Sequence, residues 1–476
     1  MLKLAVSRYV DSIPVKGIGS SSRKKYAVLL QGKSCTPVNI RLLKQEQNIN
    51  TESSKKSIHH TTPSFNSNNS VNNSVRQTVT IENETYVGDS WTNITPRITE
   101  KIGKNLHNKK YHPINLVRLR IQNYFYKNFT SHGNPIFAVF DNINPIVSPY
   151  QNFDSLLTPE DHPSRTKSDT YYINGGQLLR SHTSAHQEEL VKMGFDAFLV
   201  VGDVYRRDEI DKSHYPVFHQ MEGVRLFSEH EVFNKVKDPT NLFIFEDGRR
   251  TKDKQAAHTL EAVKLVEHDL KHSLLGVAKV LFGQNLEHRW VECYFPFTHP
   301  SWELEIMYEG NWMEVLGCGI MEQKLLTNAG ASNKIGWAFG LGLDRLAMKL
   351  YSIPDIRLFW SEDPRFIQQF MVEDPETPIT FKLFSQYPPC INDISFWIPE
   401  NFSSNDFYDL VRNLGGETVE SVELIDEFVH PKHHKKSHCY RITYRHMDRT
   451  YTQEEVNVIH AQIEQAASGN LGVELR

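Results

Sequence analysis

Residues 202–227, GDVYRRDEIDKSHYPVFHQMEGVRLF, place Arg206 and Arg207 ahead of a polar stretch with Ser213, His214 and Tyr215. Phe218, His219, Gln220 and Glu222 then fall within five positions. Two apolar-patterned runs, 198–207 and 217–227, flank nine mostly charged or polar residues, which predicts two antiparallel strands joined by a loop. A purely structural strand favours Val and Ile at such positions. Arginine offers a permanent forked charge to phosphate or carboxylate oxygens. Phenylalanine offers a face to a flat ring, and glutamine and glutamate offer acceptors to an ammonium. The pattern therefore points to a ligand with a phosphate, a flat ring and an ammonium group.

The elements around this hairpin read as mixed. From His112, Ile114, Val117, Ile121, Tyr124 and Phe125 recur at helical spacing. Residues 135–150 read as extended chain broken by prolines, and 159–165 as a loop. Residues 178–193 open on a turn and continue as a helix that Thr183 or Ser184 can cap, with Gln187 or Glu188 near the capping-box position. An amphipathic helix is expected over 259–282, then aromatic-rich strands. In WAFGLGLDRLAMKL, 337–350, the period changes midway. Leu343, Leu346, Ala347 and Leu350 form one helical stripe, and Arg345 lies off it. Strands with helices packed on them indicate an α+β fold, an antiparallel sheet flanked by helices. Residues 364–380, charged and punctuated by proline, read as a hinge. From Lys382 a smaller domain follows in the order β-α-β-β-α-β, the ferredoxin-like arrangement.

At 476 residues, with 39% hydrophobic and 11% aromatic content, the chain can build two or three domains. A net charge of -4 gives no global field for nucleic acid, so any such surface must be local. Five cysteines without a CxxC pair predict a reduced compartment and no structural zinc. No apolar run approaches the roughly 20 residues of a membrane helix, so no membrane association is expected. Residues 1–45 hold nine Lys/Arg and one acid, Asp11, as an organelle transit peptide does. The Asn/Ser-rich stretch 46–77 reads as a disordered linker. Folding should start near Thr78 with a strand over 78–87. The GKS at 32–34 is not a phosphate loop, because Ala27 stands where that motif needs glycine. His182 and His186 are four apart but no HExxH surrounds them, and His433, His434 and His438 read as a solvated loop. No metal site is expected.

Set in order along the chain, these segments resemble the phenylalanyl-tRNA synthetases of class II. GDVYRR…HYPVFHQMEG resembles class II motif 2, GLGLDRLAM resembles motif 3, and residues 112–145, with Pro145, stand where motif 1 belongs. HTSAHQ, CYFPFTHP and WMEVLGCGIMEQ are similar to further catalytic segments. PPCINDISFWIP and FVHPKHHKKSHCYRITYRHMDRTYT resemble the C-terminal anticodon-binding domain. The resemblance covers roughly residues 80–476. Both domains in one chain resemble the single-chain mitochondrial form, which implies a monomer in the mitochondrial matrix; a plastid or dual-targeted enzyme of the same chemistry is the alternative. It divides the chain into 1–45 transit peptide, 46–77 linker, 78–363 catalytic domain, 364–381 hinge and 382–476 anticodon-binding domain.

The resemblance implies activation of phenylalanine by ATP with Mg²⁺, then transfer of the phenylalanyl group to tRNA(Phe). It makes Arg206 and Arg345 the catalytic arginines, on the α- and γ-phosphates, and places Phe218 on adenine. Asp208 stands near ATP where the family often has Glu. Ser184, Gln220 and Glu222 match residues that hold the ammonium, and His182 and Arg206 match carboxylate contacts. Phe295 and Phe297 match the pair that flanks the substrate ring, with Phe339 near this wall. Ala185, His186, Gln187, Ser213, His214, Tyr215, Met221 and Glu314 lie in matching segments and are further substrate-binding candidates. Apolar pockets reject an added hydroxyl only by about a hundredfold, and no stretch remains for an editing domain, so measurable tyrosine misacylation is expected. In the small domain, 432–449 holds six basic residues and one acid. Lys432, Lys435, Lys436, Arg441 and Arg445 are the candidate tRNA contacts, with Arg441 and Arg445 expected on one strand face.

Overall fold

The computed structural model describes residues 78–383, 387–446 and 449–476. The expected transit peptide and Asn/Ser linker lie outside them. The first long helix of the larger domain is α1, Pro113–Asn128, which begins with proline while the His112 ring accepts the Ile114 N–H. Proline suits a first helical position because its missing N–H would have no partner there. Then come β1 (Ala138–Phe140), β2 (Ala197–Tyr205), β3 (Val217–Phe227) and helix α2 (Leu260–Phe282), which the Thr259 hydroxyl caps. Strands β4 (His288–Phe295), β5 (Thr298–Tyr308), β6 (Asn311–Met321) and β7 (Ile335–Gly342) follow, and α3 (Leu343–Tyr351) leaves directly from β7.

These strands form one seven-stranded sheet in the order β4-β5-β6-β7-β3-β2-β1. Every neighbouring pair is antiparallel except β1 with β2. One face carries α1, α2 and α3. Ile114, Ile121 and Phe125 from α1 meet Leu270 and Leu274 from α2 and Met221, Trp337 and Phe339 from the sheet in the main core. Side chains alternate across a strand, so Phe218, Gln220 and Glu222 of β3 point away from that core, and β3 ends that face with Val224 and Leu226 in a second apolar cluster.

The smaller domain runs β8 (Cys390–Trp397), α4 (Ser404–Gly415), β9 (Val419–Val429), β10 (Lys436–Tyr444), α5 (Gln453–Leu471), β11 (Glu474–Leu475). Its sheet order is β9-β10-β8-β11. Phe396, Phe407, Val411, Tyr440, Ile442, Val456 and Ile463 make its core.

Three local expectations change. Residues 78–87 form two short strands, Thr78–Ile81 and Glu84–Val87, because Glu82 and Asn83 take left-handed backbone and turn the chain. Thr183 and Ser184 do not cap a helix. They lie in a 3-10 turn, Thr183–His186, ahead of the helix Gln187–Lys192, with their hydroxyls committed elsewhere. Residues 364–381, read as a hinge, are anchored on the larger domain. They begin with the helix Pro364–Gln368 and bury Phe366, Phe370 and Phe381 in the main core, and Gln369 bonds both the N–H and the carbonyl of Lys382.

The two domains touch along the hairpin tip and the start of α4. Arg207 pairs with Asp406 at 2.8 Å and Asp409 at 3.3 Å, and Tyr171 donates to Asp409 at 2.8 Å. Lys212 reaches Glu420 at 3.2 Å, and the Val422 N–H donates to the Ile210 carbonyl at 2.9 Å. Tyr215 donates to Glu417, and its ring stacks on Trp360 at 5.5 Å.

Candidate active site

Two adjoining cavities open on the sheet face turned away from α1 and α2. Arg206, Gln220, Glu314 and Gly340 line both. The larger, about 340 Å³, is further lined by His182, Ser184, Gln187, Glu222, Phe295 and Phe297. Glu222 is buried and accepts hydrogen bonds from Ser184 Oγ at 2.5 Å, Thr183 Oγ1 at 3.3 Å and Gln187 Nε2. Burial pushes its pKa up to about 7 against the opposing pull of those three bonds. All three donors are neutral, so the carboxylate has solvation but no countercharge from them. A buried carboxylate in that state suits a cationic group.

The other wall is aromatic. The rings of Phe295 and Phe297 lie 5.9 Å apart and 20° from parallel. Gly317 makes room for them, since a Cβ there would lie 2.7 Å from Phe295 Cζ. His182 is held neutral at physiological pH. Burial, and then the Arg206 charge, pull its pKa down to about 3, and its Nδ1 has no partner among the described residues.

The second cavity, about 230 Å³, takes in Asp208, Ser213, His214, Tyr215, Phe218, Gly342 and Arg345. Arg206 Nε donates to the Ser181 carbonyl at 2.8 Å, and the guanidinium carbon sits 5.2 Å from the Phe218 ring centre. Burial lowers the Arg206 pKa, Asp208 opposes this, and the facing Arg345 adds to it. Two arginines thus face one cleft, which Asp208 and Glu314 also line. Arg345 Nη2 donates to His214 Nε2 at 2.8 Å, and His214 Nδ1 faces Asp211 at 2.7 Å. Arginine only donates, so His214 carries its proton on Nδ1. Open space at the Cβ positions of Gly340 and Gly342 leaves this wall as bare backbone.

Residues 97–246 and 249–370 match the family "tRNA synthetases class II core domain (F)", and residues 385–476 match "Ferredoxin-fold anticodon binding domain". The chain is 58% identical over 395 residues to "Phenylalanine--tRNA ligase, mitochondrial" of Mus musculus, covering 83% of this chain and 88% of that protein. It is 55% identical over 416 residues to the rat protein of the same name, with the same coverage. It is 51% identical over 417 residues to "Probable phenylalanine--tRNA ligase, mitochondrial" of Drosophila melanogaster, covering 83% of this chain and 92% of that one. The chain belongs to the phenylalanine–tRNA ligase family.

Most of the substrate and nucleotide candidates singled out in the sequence, Phe339 among them, meet at these two cavities, and Met221, Ala185 and His186 stand elsewhere. Met221 points to the opposite face of β3 and is packed in the main core. Phe339 borders the larger cavity, but its ring stacks on Phe125 of α1 at 5.6 Å and 4°. Ala185 packs with Phe153 and Leu178. His186 accepts from Arg180 Nη1 at 3.0 Å behind the 3-10 turn, so it makes no metal pair with His182. A different trio, Glu209, Asp211 and His214, brings possible ligand atoms within 4.8 Å of one another, yet both His214 nitrogens are engaged as described above. Thr298, Gly317, Cys318 and Ala338, and in the second cavity Val315, Leu316, Gly340 and Gly342, also line the site. They lie in segments already noted in the sequence, CYFPFTHP, WMEVLGCGIMEQ and WAFGLGLDRLAMKL.

On the small domain, Arg441 forms two bonds to Asp393, at 2.9 and 2.8 Å. Arg445 lies one residue past the end of β10 and pairs with Glu420 at 2.6 Å. Lys435 pairs with Glu474 at 2.9 Å. Lys432 and Lys436 are exposed on or beside the 430–436 turn.

Proposed function

We infer that this protein is a phenylalanine–tRNA ligase of the mitochondrial matrix, acting as a single chain. The observation that carries the reading is that Arg206 lines both cavities, between the buried Glu222 and the exposed Arg345. The larger cavity takes phenylalanine. Glu222, with Ser184 and Gln220, receives the ammonium, Phe295 and Phe297 receive the ring, and neutral His182 donates to the carboxylate. The second cavity takes ATP, with adenine on Phe218 and the γ-phosphate on Arg345. Arg206 then holds a carboxylate oxygen and the α-phosphate together.

The carboxylate oxygen attacks the α-phosphorus and pyrophosphate leaves, giving phenylalanyl-adenylate. A terminal ribose hydroxyl of tRNA(Phe) next attacks the acyl carbon, and AMP leaves. Such chemistry gains mainly from positioning and from charge neutralisation by fixed donors. Mg²⁺ arrives with ATP, and Asp208 and Glu314 are the cavity carboxylates available to it. Burial and the Glu303 charge raise the Glu314 pKa, which favours a cation beside it.

The catalytic domain is taken as 78–363 and the anticodon-binding domain as 382–476, with Lys432 and Lys436 as the readiest phosphate contacts. Phenylalanine-dependent ATP–pyrophosphate exchange by purified protein tests the reading, and no exchange by well-folded protein would overturn it in favour of a non-catalytic tRNA-binding role. Neutralising Lys432 and Lys436 together should raise the tRNA KM and flatten its salt dependence, with the phenylalanine KM unchanged; an unaltered salt slope would remove these lysines from the RNA surface.

A further inference from the structure

We propose that Asp344 and His219 act as a positioning pair that fixes the spacing between Phe218 and Arg345, and so the affinity for the nucleotide. The inference rests on the ligase reading above. The β3–β7 ladder runs from Phe227 opposite Ile335 to Gln220 opposite Gly342. There β7 ends and α3 begins. The next residue on β3 is His219, which has lost its strand neighbour on that side. Asp344, the second residue of α3, takes the place of the missing strand. Its Oδ2 accepts the His219 backbone N–H at 2.6 Å, and its Oδ1 accepts from Nδ1 at 3.2 Å. Both side chains are fully buried, so the two bonds are shielded from competing water.

The chain neighbours of this bridge give it its consequence. Phe218 stands one residue before His219 and faces the cleft. Arg345 stands one residue after Asp344 and lines the same cleft. A single carboxylate thus ties the strand that carries the ring-stacking residue to the helix that carries the phosphate-binding arginine. The His219 ring is itself held in place. It stacks on Trp360 at 6.0 Å and 29°, and its centre lies 5.6 Å from that of His107. Burial pulls the His107 pKa down to about 3, so that ring brings no competing charge. Asp203 is the cross-strand neighbour of His219 on β2, and its carboxylate is engaged by Arg180 at 2.8 Å and by Tyr205. Asp344 therefore accepts from His219 without a rival acid on that ring.

The test compares His219→Ala, His219→Asn and Asp344→Asn with the parent full chain in ATP–pyrophosphate exchange, after counting active sites and measuring thermal midpoints. A misplacement of about 1 Å at a reacting group costs up to about a hundredfold, so we expect His219→Ala and Asp344→Asn to raise the ATP KM about tenfold or more. The phenylalanine KM should stay within about twofold. His219→Asn keeps a donor within reach of Asp344 and should recover most of the loss. Variants that lose thermal stability while keeping the parent ATP KM per active site would overturn the proposal, as would parallel rises in both KM values. His219→Ala keeps the backbone bond to Asp344, so it decides the matter if Asp344→Asn does not fold. Absence of exchange in the parent chain would instead count against the ligase reading.

Discussion

Burial pushes the Glu222 pKa up to about 7, and an ammonium can pair only with its ionised form. Below about pH 7 the group is increasingly protonated, so phenylalanine affinity should weaken by up to about tenfold per pH unit as pH falls. The dissociation constant measured between pH 5.5 and 8 should show this rise in the parent protein and a flat profile in Glu222→Gln. A flat parent profile would place the ammonium elsewhere. At this scale the sequence was partly legible. The residue types marked Phe218, Gln220 and Glu222 as unusual for a structural strand, and the structure turns all three to the two cavities. Just past the end of β2, Arg206 and Arg207 part, one to the cleft and one to the domain interface. Ser184 could be read as a cap because serine commonly caps helices. Its real partner, Glu222, is 38 residues away, a separation that local pattern does not reveal.

The strands and helices that carry these residues were the most readable level, since each announces itself by a period. The change from strand to helix at Gly342 is visible in the spacing of Trp337 to Leu350. What that junction does for His219 was not visible, because Asp344 lies 125 residues from its partner. Gly317 is another element-level feature without a periodic signal. It lets β6 pass beneath the Phe295 ring, and filling a packed contact of this kind costs about 1–3 kcal/mol in displaced side chains. Gly317→Ala should therefore raise the phenylalanine KM about tenfold by tilting Phe295, with the ATP KM unchanged. Unchanged steady-state constants for both substrates would show that the wall yields without harm.

At the scale of the molecule, the small domain rests on the hairpin tip and on Arg97, Lys101, Tyr171 and Arg357 through many, largely polar contacts. Arg207 is one buried anchor of the seam, paired with Asp406 and Asp409. Removing one partner of a buried pair leaves the other charge uncompensated and is costly. Arg207→Ala should loosen the docked arrangement, seen as a larger radius of gyration in small-angle scattering. Identical scattering curves would mean that the remaining contacts suffice. The sequence showed both domains but not their mutual placement. The charged stretch after Pro364 read as a hinge, and three phenylalanines tie it to the core. Where the domains meet, Trp360 lies against Tyr215, whose hydroxyl donates to Glu417 of the small domain. Lys101 also faces the indole, 4.6 Å from its centre, and bonds Glu417 at 3.1 Å. An indole between a phenol and an ammonium emits light according to how those neighbours sit. The protein thus carries an optical gauge of its own at the seam. Its tryptophan emission should shift in Arg207→Ala, and the shift should vanish when Trp360 is replaced by phenylalanine.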